Sequence, residues 1–434
     1  MFLLPYIRER KIKPQVEKEK KIYNNTAVEE VSQYQFKTFN ELWQDIQMNV
    51  PFYKEFVNEN KLRNIRNFDD LRQLPIIDRE KANKYMKQLM DTSQEPDSWG
   101  TTGGSTGNPL QFPMWRSEKQ ASEPTVWYAR DFYNIKRSDK LLRLWGHSHT
   151  LGSGISRLIN IMKFKIGLPL IGYKRLSAYD LSTKKLKEVG KEILKFKPDY
   201  IIGYSKALKR LAQANEEKKD AFHKLKLKAV IGAAEGFEKD SDKTYIGDIF
   251  GCDVALQYAA METNYLAHTH PSGGYKAFWK NNIIECVDDD GNPAESGRIL
   301  VTTLYPRAFP LIRYDVGDII TGTKKSSESV YAFKEVQGRD NDFLMIDENT
   351  PIHSESITHA VKFSEKIGAY QIRYTKDHQF TVYVTSNEKI DTKEKAEIKK
   401  RLGQIDKRLL NFKIKQVDTL RQTIAGKTNW LMKE

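Results

Sequence analysis

Residues 1–95 read as mostly helical. Charged stretches such as RERKIKPQVEKEKK alternate with apolar anchors such as VPFYKEF, Val50 to Phe56. Pro75 interrupts this region, and Asp78 is placed to cap the helix that follows. Over residues 96–282 the pattern changes to strands separated by helices. LLRLWG, Leu141 to Gly146, is a short apolar run closed by glycine. Between Ser182 and Phe196, Leu186, Val189, Ile193 and Leu194 share one helical face, and Pro198 stops the helix. DYIIGY and LKAVIG read as buried strands around the amphipathic helix SKALKRLAQANEEKK, and VALQY follows a further helix. Strands and helices alternating in this way predict an α/β layer with a parallel sheet. Such sheets bind ligands at the carboxyl ends of their strands, where the Gly and Glu residues of this segment fall.

Residues 283–338 look β-rich, with DDDGNP as a turn and RILVTTL as a strand. Beyond Gly338 the order changes again. A helix near His353–Phe363 precedes a QIRYT/QFTVYVT hairpin. A longer helix follows, with Ile398, Leu402, Ile405 and Leu409 on one face, and FKIKQV is a last strand. The reading is therefore an α/β fold with a large multi-layer unit, residues 1–338, and a small α+β unit, residues 339–434.

Composition narrows the class. No run of the 434 residues approaches the roughly 18 apolar positions of a membrane helix. The start MFLLPYIRERKIK is too short and wrongly flanked for a signal peptide. Two cysteines, Cys252 and Cys286, cannot build a disulfide scaffold or a cysteine zinc site, and they suit a reduced, cytoplasmic compartment. A net charge of +14 admits nucleic acid, an anionic membrane or a small polyanion as partner. No zinc finger, helix-turn-helix or RNA-binding aromatic motif accompanies it, so no nucleic-acid partner is expected.

The most informative segment is Thr101-Thr102-Gly103-Gly104-Ser105-Thr106-Gly107-Asn108-Pro109. Its glycines let a backbone approach an anion, and its hydroxyls and amides donate to phosphate oxygens. It lacks the Gly-Lys-Ser/Thr of a Walker A loop, and a flexible hairpin turn is the competing reading.

The segment TTGGSTGNPL resembles the phosphate loop of adenylate-forming enzymes, the superfamily of acyl-CoA synthetases, peptide-synthetase adenylation domains and luciferases. Four further segments resemble that family's motifs in the same order. They are Gly232-Ala233-Ala234-Glu235-Gly236, Tyr258-Ala259-Ala260-Met261-Glu262-Thr263, Arg313-Tyr314-Asp315-Val316-Gly317-Asp318 and Gly338-Arg339-Asp340-Asn341-Asp342. Near the C-terminus, Gly426-Lys427 resembles the segment that carries the adenylation lysine. The flanks resemble phenylacetate–CoA ligase-like proteins, and within them the capsular polysaccharide biosynthesis subgroup.

The resemblance implies roles residue by residue. Thr102, Gly103, Gly104, Ser105, Thr106 and Gly107 would hold the ATP phosphates. Ala234 and Glu235 would line the adenine pocket, with Tyr258 stacked on the base. Asp318 and Arg339 would take the ribose, Glu262 would hold Mg2+, and Lys427 would carry the adenylation chemistry. Asn341 stands at the hinge about which the small C-terminal unit moves. Trp145, His147 and His149 fall where relatives bind the acid, although exposed loop histidines would look the same. His147/His149 and His268/His270 also have a metal-like HxH spacing, but no third ligand at recognisable spacing. Asn108, Ala259, Met261 and Asn341 depart from the family pattern.

The implied function is ATP-dependent, AMP-forming activation of a carboxylic acid to an acyl-adenylate. Acyl transfer to CoA, a carrier-protein thiol or another acceptor follows, in surface polysaccharide biosynthesis. The alternative is a non-catalytic nucleotide-binding or assembly module that retains the fold.

Overall fold

The computed structural model describes residues 4–62, 64–102, 110–146, 167–178, 181–237, 239–337, 343–347, 350–363, 366–375, 379–386, 388–421 and 430–433. A hairpin of β1 (Ser98–Thr101) and β2 (Gln111–Met114) comes first among the strands. Then follow β3 (Leu141–Trp145), β4 (Tyr173–Ser177), β5 (Tyr200–Tyr204), β6 (Ala229–Ala233), β7 (Asp253–Ala260), β8 (Asn264–Thr269) and β9 (Tyr275–Ala277). They continue with β10 (Asn282–Val287), β11 (Gly297–Thr303), β12 (Tyr314–Thr321), β13 (Lys324–Ser326), β14 (Ser329–Phe333) and β15 (Glu335–Gln337).

Nine of these strands form one mixed sheet in the order β13-β14-β9-β8-β7-β6-β5-β3-β4. The segment from β4 to β7 is parallel, as the strand–helix alternation predicts. Its central strands β5 and β6 are buried at every residue, because helices cover both faces. On one face the helix Thr183–Phe196 packs Leu186, Val189 and Ile193 against the sheet, together with the helices Ser205–Gln213 and Asp240–Phe250. Burying each such side chain is worth about 1.5–3 kcal/mol. Ser182 caps the first of these helices, accepting from the Lys185 amide at 3.4 Å, and Lys197 ends it in the left-handed region just before Pro198. Trp127 and Tyr133, from the helix Arg116–Asp131 and the turn after it, cover the other face.

The sheet does not end with the parallel strands. β8 turns back antiparallel to β7, and β9, β14 and β13 extend it. The β-rich stretch therefore divides between two sheets, since β10-β11-β12-β15 pair separately. That four-stranded sheet packs on the N-terminal helices, where Phe39, Trp43, Tyr53, Phe68 and Leu71 meet Ile284, Ile299, Val301 and Tyr314. Asp78 caps the helix Arg79–Lys84 as read from the sequence, accepting from the Lys81 amide at 2.8 Å.

Beyond residue 342 a separate four-stranded sheet forms. An additional hairpin, β16 (Phe343–Asp347) and β17 (Thr350–His353), precedes the helix Ser354–Val361. β18 (Ile367–Tyr374) and β19 (Phe380–Ser386) are the expected hairpin. β20 (Lys413–Gln416) joins β19, and β21 (Leu431–Lys433) joins β18, both in parallel. The long helix stops at Ile405, earlier than the spacing through Leu409 predicts. Asp406 ends it and accepts from the Arg408 amide at 2.8 Å, opening a tight turn over Lys407–Asn411. Among the described residues no helix is long and apolar enough to cross a membrane.

Candidate active site

A cleft of ≈ 870 Å³ opens at the carboxyl ends of β3, β6 and β7. Trp145, Ala234, Glu235, Tyr258, Glu262 and Asp318 all line it. They come from four stretches of sequence that only the fold brings together.

Each is set by its local structure. β6 ends at Ala233, and Ala234 then takes φ +70°, a conformation that costs a non-glycine residue about 1 kcal/mol or more. The reversal returns Glu235 to the start of the helix Ser205–Gln213. There its Oε1 accepts from the Lys206 amide at 2.9 Å, and its carbonyl accepts from Ser205 Oγ at 2.7 Å. Gly232 keeps this corner uncrowded, since a Cβ there would lie 2.5 Å from Ser205 Oγ and 2.8 Å from Leu256, and those side chains would have to shift. The Glu235 carboxylate thus holds a helix N-terminus in place beside the cleft.

Tyr258, near the end of β7, donates to Asp318 Oδ2 at 2.9 Å. Burial and the Asp318 carboxylate hold the phenol well above its ordinary range, so it remains a donor. Gly317, at φ +81°, turns β12 so that Asp318 reaches the cleft. Under the nucleotide reading that the motifs imply, Tyr258→Phe is expected to raise the KM for ATP about tenfold while kcat stays within about threefold, measured by steady-state kinetics.

Glu262 is 2% exposed. Its Oε1 accepts from Tyr314 Oη at 3.1 Å and lies 3.7 Å from Arg79 Nη2. Burial and the Glu262 charge push the Tyr314 phenol upward, which keeps its proton on the hydrogen bond. Arg79 carries no sequence motif. It reaches Glu262 because Ile77 pairs with Tyr314, donating to the Arg313 carbonyl at 3.2 Å and accepting from the Asp315 amide at 2.9 Å. Only this long-range bridge, with the Asp78 cap beside it, signals the position.

The Mg2+ expected at Glu262 is a hard cation that commonly takes one or two carboxylates plus substrate phosphates. One buried carboxylate at the cleft wall fits that donor set.

Other expectations fare differently. Thr102 does not line the cleft. It is buried at the neck of the β1–β2 hairpin, where its Oγ1 accepts from the Leu110 amide at 2.8 Å. That contact closes the hairpin and leaves the hydroxyl proton free to donate. Gly103, Gly104, Ser105, Thr106, Gly107 and Asn108 lie outside the described residues, as do His147, His149, Arg339, Asn341 and Lys427. Arg307 and Arg313, two arginines of the LYPRAFPLIRYDVGD stretch, form buried ion pairs with Glu118 at 3.1 Å and Glu285 at 3.2 Å. Trp145 stacks on Tyr204 with centroids 4.2 Å apart.

His268 is 1% exposed and away from the cleft, donating through Nδ1 to the Thr269 carbonyl at 2.9 Å. Burial lowers its pKa to about 4. Because protonation then favours the unfolded chain, stability is expected to fall as pH drops from about 6.5 towards 4. The single-site loss is about 3 kcal/mol. His268→Gln should flatten that part of the profile in denaturant melts across the same pH range.

No family profile matches the chain. The fold is that of 2-hydroxyisobutyryl-CoA ligase. It aligns with 2-hydroxyisobutyryl-CoA ligase bound to 2-HIB-AMP and CoA in the thioesterification state at TM-score 0.58, with 16% identity over 94% of this chain and 91% of that one. The open conformation of the same ligase, also with 2-HIB-AMP and CoA, aligns at TM-score 0.55 with 16% identity, over 93% and 91%. In sequence, the chain is similar to protein CapK of Staphylococcus aureus, 24% identical over 417 residues that span 91% of this chain and 87% of CapK.

Proposed function

We propose that the protein activates a carboxylic acid with ATP, forming an acyl-adenylate and pyrophosphate, and then transfers the acyl group to CoA, a carrier-protein thiol or another acceptor. One observation carries this reading: Ala234, Glu235, Tyr258, Glu262 and Asp318, from three separated motifs, line one cleft in an adenylate-forming fold.

A carboxylate is a poor acylating agent because oxide is a poor leaving group. In the first step a carboxylate oxygen attacks the α-phosphorus of ATP. The bond to the bridging β-phosphate oxygen breaks, and pyrophosphate leaves. In the second step the acceptor attacks the acyl carbon, the bond to AMP breaks, and AMP leaves. Asp318, held by Tyr258, accepts both ribose hydroxyls. Glu262, oriented by Tyr314 and Arg79, holds Mg2+ when it is bound, and the ion neutralises phosphate charge. Lys427 brings a positive charge to the acid and α-phosphate, where negative charge accumulates. Residues 339–434 form the small mobile unit that delivers it, hinged near Asn341, and its closure excludes water from the anhydride. The setting is surface polysaccharide biosynthesis, as in the subgroup its motifs resemble.

Carboxylate-dependent exchange of labelled pyrophosphate into ATP tests the first step. Acid-dependent exchange is expected. ATP binding with no exchange for any acid of a broad panel would instead favour a nucleotide-binding module.

A further inference from the structure

Arg143 has no task in that account. It is the middle residue of β3, whose Leu142 and Leu144 are fully buried under the helices. Arg143 and Trp145 alternate onto the opposite face and line the cleft. The guanidinium lies over the Trp145 ring, 4.4 Å from its centroid, and the ring is pinned in turn by Tyr204. Arg143 Nε is buried and has no acceptor among the described residues.

Among the described residues no carboxylate neutralises it. Across the parallel ladder its partner is another cation, Arg175, which donates to the Gly146 carbonyl at 3.0 Å. Among the described residues, the five carboxylates that line the cleft all face other cations or donors, Glu262 with Arg79 and Asp318 with Tyr258 among them. A half-buried guanidinium with a buried, unmet N–H is costly unless a ligand meets it. Its planar fork suits a carboxylate, phosphate or sulfate.

We infer that the acid activated in this cleft carries a second anionic group, held by Arg143 over the face of Trp145. The substrate class is a dicarboxylic acid, or a carboxylic acid bearing a phosphate or sulfate. The inference rests on the adenylation reading.

Matched acids separate the two. Pyrophosphate exchange is measured with glutarate against valerate, terephthalate against 4-methylbenzoate, and 3-phosphoglycerate against glycerate. Wild type, Arg143→Gln and Arg143→Lys are compared, with thermal unfolding as the control for folding. In wild type a dianionic acid should exceed its singly charged partner by at least about 10²-fold in kcat/KM. Arg143→Gln should erase that preference, Arg143→Lys should retain part of it, and the KM for ATP should be unchanged. Preference for the singly charged acids, or equal losses for both members of a pair, overturns the inference and leaves adenylation standing. So does a defect confined to acyl transfer onto CoA, which would assign Arg143 to the acceptor. Absence of exchange with all six acids and with a broader panel takes down the adenylation reading itself.

Discussion

Glu262→Gln is expected to lower carboxylate-dependent pyrophosphate exchange by about 10²–10³-fold. The substitution keeps the size and the acceptor towards Tyr314 Oη but removes the charge. Arg79, whose Nη2 lies 3.7 Å from the carboxylate, then faces a neutral amide. The phosphates lose the group that would hold Mg2+ opposite them. The stability cost is about 1–3 kcal/mol, so the folded variant can be assayed directly. Raising Mg2+ should recover part of the lost rate if Glu262 holds the ion. A variant within tenfold of wild type at every Mg2+ concentration would remove Glu262 from the phosphate site.

Lys427→Ala is expected to reduce adenylation by about 10²–10³-fold while leaving acyl transfer from supplied acyl-adenylate within about tenfold of wild type. The two half-reactions are measured separately, by pyrophosphate exchange and by single-turnover acyl transfer. The stretch that contains Lys427 is tied to the small sheet on either side. Gln371 Nε2 donates to the Arg421 carbonyl at 2.9 Å, and the Ile372 amide donates to the carbonyl of Trp430, which is fully buried. Equal loss in both half-reactions would contradict the assignment of Lys427 to the first step.

The parallel part of the large sheet was legible in the sequence because it obeys simple rules. Runs such as YIIGY and AVIGA are apolar throughout because helices bury both of their faces. The amphipathic helix stopped by Pro198 precedes the first, and the helix Ser205–Gln213 separates the two. The antiparallel extension was not legible. β9 and β13 have three residues each, too short to display a period of two, and their pairing is decided by distant chain. The same holds for β21, whose three residues join β18 from the far end of the sequence.

The cleft divides in the same way. Ala234, Glu235, Tyr258, Glu262 and Asp318 stood within motif-like segments. Arg79 and Tyr314 gained their relation to Glu262 only through the Ile77–Tyr314 bridge, a contact more than two hundred residues apart in the chain. Arg143 was masked by its setting. In LLRLWG it reads as one charge in a buried strand, and only the alternation of β3 turns it into the cleft. Thr102, at the start of the glycine-rich loop, accepts from the Leu110 amide at the hairpin neck, a contact that no local pattern announces.

The central claim is that the acid's own oxygen becomes bonded to the α-phosphorus of ATP. The most direct measurement uses an accepted acid labelled with ¹⁸O in its carboxylate, followed by mass analysis of the nucleotide after acyl transfer. One labelled oxygen in AMP is the predicted result. Label in inorganic phosphate, with ADP as the nucleotide product, would contradict it.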